Sequence, residues 1–115
     1  MLYSSELRME KDLTYGMLLQ IYGKLLTEKQ QEVVGLYYDY DLSLAEISEN
    51  LGISRQAVLD SLRNACDSLR NYEEKLNILA KNQYLSAEIE KIRILTAEKN
   101  FEQIDKVLTE ILENL

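Results

Sequence analysis

The residues best suited to chemistry are Ser54, Arg55 and Gln56, followed along the same helix by Leu59, Asp60 and Arg63. Their types favour recognition over bond-breaking. A serine just before a helix caps it, and the free N–H groups of that first turn attract a phosphate. Arginine can bond the O6/N7 edge of guanine, and glutamine the N6/N7 edge of adenine. Leu59, Asp60 and Arg63 are expected to continue the open face; Asp60 repels phosphates there and Arg63 attracts them.

Other chemistries find few residues to work with. The chain has no histidine, so no imidazole base and no histidine metal ligand is available. Its four glycines stand singly at 16, 23, 35 and 52 and form no phosphate loop. Cys66, the one cysteine, falls mid-helix and reads as a small buried thiol. Glu73-Glu74 and Asp39/Asp41 read as solvated surface or turn carboxylates. The expectation is a binding protein, with no enzyme activity, no cofactor and no metal.

Holding Ser54–Gln56 in place takes a short helix followed by a second helix set at an angle to it. Ser43 with Glu46 forms a capping box that opens a helix over Leu44–Asn50. Gly52 follows, a residue that adopts a left-handed C-cap without steric cost. Ser54 then caps a second helix starting at Arg55. With Ile47, Leu51, Ile53, Val58 and Leu62 facing inward, this is a helix-turn-helix, whose second helix offers its first turn to a major groove.

The flanking chain reads as helix throughout. Tyr15, Leu18, Tyr22 and Leu25 share one face of a helix from about Glu6 to Leu26. Thr27 and Gln30 form another capping box, opening a helix from Glu28 to about Tyr38, and Asp39–Leu42 makes a polar break. The long helix carries Val58, Leu62, Ala65, Leu69, Tyr72, Leu76 and Leu79 at alternating steps of four and three, a coiled-coil seam. That seam suits either a second copy or the chain's own C-terminal helices, and a homodimer is the slightly favoured expectation. Ser86 reads as a cap before Ile89, Ile92 and Leu95, and a last helix carries Phe101, Ile104, Leu108, Ile111 and Leu115. The fold class is all-α: a three- to four-helix core containing the helix-turn-helix (residues 1–70), then a C-terminal helical extension continuing the long helix (71–115).

Eight tyrosines against one phenylalanine could form stacking platforms for single-stranded RNA. Tyr15, Tyr22, Tyr37 and Tyr72 instead fall at core-facing spacing, where each ring packs and its hydroxyl reaches the rim.

Charge narrows the partner. The 115 residues hold 13 Lys and Arg against 20 Asp and Glu, for a net of −7, which excludes a broad positive surface for nucleic acid. Residues 54–84 are the exception, with 5 basic and 4 acidic side chains. An anionic partner is expected there. No apolar run reaches the ~20 residues that span a bilayer, and the first residues do not read as a signal peptide. A lone cysteine fits a reducing compartment, so the expected location is the cytoplasm, without membrane insertion.

Met9-Glu10-Lys11, Leu25-Leu26-Thr27-Glu28-Lys29-Gln30, Tyr37-Tyr38, Asp41–Ile47 and Ile53–Val58 with Asp60 together resemble the YlxM family of small bacterial helix-turn-helix proteins. The resemblance implies a fold like region 4 of sigma factors. It also implies an accessory or regulatory role in the signal recognition particle pathway, with the particle's protein subunit or its RNA as partner. Met1–Arg8 precedes the family's usual start. Leu59 stands where a sigma-type recognition helix often carries a basic residue, and beyond about Arg63 the resemblance fades. The alternatives are a sequence-specific DNA-binding transcriptional regulator using the same residues, and a structural adaptor.

Overall fold

In a computed structural model, the described residues are 13–115, and they form six α-helices with no strand among them. We number these α1 (Leu13–Tyr22), α2 (Glu28–Val34), α3 (Leu44–Leu51), α4 (Arg55–Leu76), α5 (Ile78–Ala97) and α6 (Phe101–Glu113). A 3-10 turn over Gly23–Leu25 extends α1, and a π turn over Gly35–Asp39 extends α2. The expected start of the first helix near Glu6, and the Met1–Arg8 segment, lie outside the described residues. The chain divides into two compact units, residues 1–77 and 78–115.

In the first unit α4 is the central element, packed by α1, α2 and α3. Val58, Leu62, Ala65 and Leu69 are each 0% exposed. These four seam residues are therefore spent on the N-terminal helices of their own unit and are not open to a second copy. It also ends earlier than its sequence pattern. Asn77 takes a left-handed conformation (φ 55°) and its N–H bonds the Glu73 carbonyl at 2.8 Å. Leu76 is 48% exposed, and Leu79 belongs to α5.

Leu18 and Tyr22 are buried on α1 as expected, but Leu25 is exposed and Leu26 takes its place in the core. The 3-10 turn closes at Leu25, and Leu26, the first extended residue after it (ψ 159°), is the one whose side chain reaches the core. The tyrosines at core-facing spacing, Tyr15, Tyr22, Tyr37 and Tyr72, are buried or half-buried, whereas Tyr40 is 73% exposed. Tyr22 and Tyr37 are buried. The Tyr22 ring lies 5.9 Å from that of Tyr72, and its hydroxyl donates to Glu73 Oε1 at 2.6 Å. Tyr15, half-buried, accepts a hydrogen bond from the Arg70 guanidinium, which lies 5.8 Å from its ring centre. The Cys66 thiol is fully buried, 3.8 Å from the Tyr38 hydroxyl.

The second unit is a helical hairpin. α5 runs unbroken through Ser86, because that serine lies inside a continuous helix and caps nothing. The reversal falls at Glu98–Asn100, with Lys99 left-handed (φ 57°). Asn100 caps α6, its side-chain oxygen accepting from the Gln103 N–H at 3.3 Å. The helices run antiparallel, so that the Asn114 amide meets the Tyr84 hydroxyl at 3.4 Å.

Glu88 on α5 is only 6% exposed. Its Oε1 accepts from Lys91 Nζ at 2.9 Å, while Oε2 has no hydrogen-bond partner. The bond to Glu88 and then the charge of that carboxylate hold the Lys91 ammonium above its ordinary 10.5. The support this lends the fold is complete at neutral pH and fades only as pH rises through the raised value. An unpaired buried oxygen costs on the order of 1–3 kcal/mol. Glu88→Leu is accordingly expected to raise the urea midpoint of the full chain. A lowered midpoint in the same titration contradicts that accounting.

Candidate docking site at the helix-turn-helix

The helix-turn-helix is built from short-range bonds that the sequence encodes directly. Ser43 Oγ accepts from the Glu46 N–H at 3.1 Å, and Glu46 Oε1 accepts from the Ser43 N–H at 3.0 Å. Thr27 and Gln30 make the same reciprocal pair at the start of α2. At the far end of α3, Gly52 is left-handed (φ 67°). A Cβ there would meet nothing within 4 Å, so only the backbone angle demands glycine.

The angle between α3 and α4 depends on a residue that sequence reasoning missed. The Ser48 carbonyl accepts from both Gly52 N–H (3.0 Å) and Ile53 N–H (3.2 Å), and its hydroxyl donates to the Ile53 carbonyl at 2.5 Å. One residue thus ties both strands of the turn. No pattern distinguishes it beforehand, since a serine inside a helix reads as solvated surface. Ser54 then caps α4, with its Oγ accepting from the Ala57 N–H at 3.0 Å.

Of the six candidate residues, Ser54, Arg55, Gln56 and Asp60 are exposed together at the start of α4. Arg63, two turns into the same helix, is half-buried. Leu59 departs from expectation: it is 7% exposed and sits in the core. The apolar stripe of α4 is wider than a strict seam. Leu59 and Cys66, two turns apart, flank Val58, Leu62 and Ala65 on the buried side. Gln56 is also committed, donating through Nε2 to Asp60 Oδ1 at 2.9 Å. The exposed turn therefore offers one cation, Arg55, beside an amide and a carboxylate already bonded to each other.

Ile47, Val58 and Leu62 are fully buried as expected, whereas Leu51 and Ile53 are only half-buried. These two line a shallow cavity of about 330 Å³ with Glu28, Lys29 and Glu32. A second, of about 350 Å³, is lined by Leu42, Glu46, Glu49 and Asn50. Both depressions are acidic at the rim. Chemically, the site presents a capped helix N-terminus and one arginine, bordered by carboxylates and a little apolar surface. Among the described residues no group of three or more His, Cys, Asp or Glu could hold a metal ion.

Removing the Ser54 hydroxyl leaves an N–H of the first turn unpaired, so Ser54→Ala is expected to cost about 1 kcal/mol in urea unfolding. Gly52→Ala is expected to cost about 1–2 kcal/mol from the left-handed backbone alone, with Gly52→Asn milder. Equal losses for Ala and Asn would point to a steric cause that the open space around Gly52 denies.

Comparison with known proteins agrees with this architecture. Residues 9–111 match the family described as "Putative helix-turn-helix protein, YlxM / p13 like". The match starts at Met9, as the sequence pattern suggests, but runs through α5 into α6, so the family signal does not end near Arg63. A UPF0122 protein of Clostridium kluyveri is 42% identical over 111 residues, covering 93% of this chain and 100% of its own. One from Caldanaerobacter subterraneus is 52% identical over 86 residues, 74% of each chain. Another, from Clostridium perfringens, is 41% identical over 114 residues, 93% of this chain and 97% of its own. With a helix-turn-helix assembled from its own capping residues and a match over most of its length, this chain belongs to the YlxM/p13-like helix-turn-helix family.

Proposed function

We propose that this chain is a non-enzymatic accessory or regulatory protein of the signal recognition particle pathway, docking on the particle through its helix-turn-helix. The pathway itself comes from the family resemblance; the structure contributes the chemistry of the docking edge. Ser54, Arg55, Gln56 and Asp60 form that edge, with Arg63 behind them and Leu51 and Ile53 beside the turn. The particle's protein subunit is the first partner and its RNA the second. We place the protein in the cytoplasm with that pathway; no helix among the described residues is long and apolar enough to cross a membrane.

The observation that carries this reading is the sign of the charge around the turn. Arg55 and Asp60 are exposed on the first turns of α4, and the two depressions of this unit are lined by Glu28 and Glu32 with Lys29, and by Glu46 and Glu49, all exposed. Duplex binding draws much of its affinity from cations that displace counterions from many phosphates. This face has too few. Carboxylates around half-buried Leu51 and Ile53 instead match a basic protein surface, where complementary charge steers the encounter and fixes its orientation.

A DNA-reading regulator is the second reading, favoured by the exposure of Arg55 on a capped helix N-terminus. It requires Gln56 to leave Asp60 before pairing with a base. In either reading we take the working unit to be two copies, since one turn with one free-standing arginine makes a weak reader.

The test is a titration of the protein against the reconstituted particle, its RNA alone and random duplex DNA, at low and near-physiological salt. The expected result is binding to the particle that persists at the higher salt, changes little in Arg55→Ala, and weakens about tenfold in Glu28→Lys with Glu32→Lys, equivalent to about 1.4 kcal/mol. Tight duplex binding that collapses with salt, with none to the particle, replaces this function with the DNA-reading one.

A further inference from the structure

The C-terminal hairpin carries more apolar surface than its two helices cover. On α6, Ile104, Val107 and Ile111 are half-buried, whereas Phe101, Leu108, Leu112 and Leu115 are 70%, 44%, 68% and 83% exposed. At one turn per 3.6 residues those four fall within an arc of about 60°. They form a second apolar stripe beside the first. On α5, Ile89 is 60% exposed and lies just off the line of Leu85 and Ile92, which are half-buried. Because the helices run antiparallel, the α6 stripe and Ile89 open on the same side of the hairpin.

Five large side chains at 44–83% exposure present several hundred Å² of apolar area, at the upper end of what a monomer leaves open. That is also the scale of the apolar centre in a standard interface of about 800 Å² per partner. A two-helix unit spanning residues 78–115 falls below the roughly 40 residues at which a fold usually needs oligomerisation or cross-links. Among its apolar side chains only Leu79 is buried.

Charge identifies the occupant. α5 carries Lys81, Lys91 and Arg93 against Glu88 and Glu90, a net positive helix. α6 carries Lys106 against Glu102, Asp105, Glu110 and Glu113, a net negative one. A second copy of the same hairpin supplies both the matching apolar face and the opposite charges, provided that α6 of each copy lies over α5 of the other. Stacking α6 on α6 would set carboxylates against carboxylates.

We propose that the α5–α6 hairpin is the self-association surface of this protein, two copies packing these faces into a four-helix bundle with Asp105 of one near Arg93 of the other. The proposal rests on the two-copy reading above and says which surface joins the copies. It also explains why that surface is not the α4 seam, which is already buried within its own chain.

The test is sedimentation equilibrium of the full chain at tens of micromolar. Wild type and Leu25→Glu, which alters an exposed leucine of the other unit, are expected to be dimers. Leu108→Glu with Leu112→Glu is expected to be monomeric while keeping the helical circular dichroism of wild type. Asp105→Arg and Arg93→Asp, which leave the apolar stripe intact, are each expected to weaken the dimer several-fold, and combining them to restore it. A dimer unaffected by all of these changes overturns the proposed surface and leaves the two-copy reading standing. A monomeric wild type overturns both, and assigns the face to another protein or to the chain's own N-terminal residues.

Discussion

Burial of a single stripe on α4 holds the first unit together. Val58, Leu62, Ala65, Cys66 and Leu69 are all 0% exposed, and α1, α2 and α3 each pack on the same helix. Truncating one such leucine typically costs about 2–5 kcal/mol, against a total stability of about 5–15 kcal/mol for a domain. The rest of the unit follows from that constraint. With α4 fixed on its buried side, its first turn has one place to project, and the Ser48 bonds to Gly52 and Ile53 set the angle at which α3 meets it.

The same burial limits what the turn can do. Leu59 belongs to the core, so the open edge narrows to Ser54, Arg55, Gln56 and Asp60. A helix N-terminus adds about 0.3–1 kcal/mol of attraction for an anion, a modest gain in a unit whose two depressions are lined by Glu28, Glu32, Glu46 and Glu49. The edge is therefore better at choosing a partner than at gripping a polyanion. In the second unit the constraint is inverted. There the apolar surface exceeds what one hairpin covers, and the excess is what the proposed second copy would bury.

How much of this was legible in the sequence follows from the range of the interactions. Thr27 with Gln30, Ser43 with Glu46, Ser54 and Gly52 were readable because their hydrogen bonds close within a few residues. The all-α fold and the helix-turn-helix rest on such signals. What failed depended on tertiary context or on one backbone angle. The heptad run to Leu79 looked continuous because Asn77, without being glycine, breaks it by turning left-handed. Ser86 resembles a cap but lies inside a helix. Leu59 lies at the edge of a helical face whose width is set by the helices packed against it, and Leu25 exchanged places with Leu26 where a 3-10 turn closes and extended backbone begins. The open stripe on α6 was written in the spacing of its apolar residues, but which of them α5 would cover was not.

The most direct test of the central claim, that the turn opening α4 is the docking edge, is an amide-shift map of isotope-labelled protein titrated with the particle's protein subunit. The account predicts the largest shifts over Ile53–Asp60, with smaller ones at Glu28, Glu32, Glu46 and Glu49 around the two acidic depressions. Saturable binding that shifts amides elsewhere and leaves Arg55 and Gln56 unmoved would contradict it.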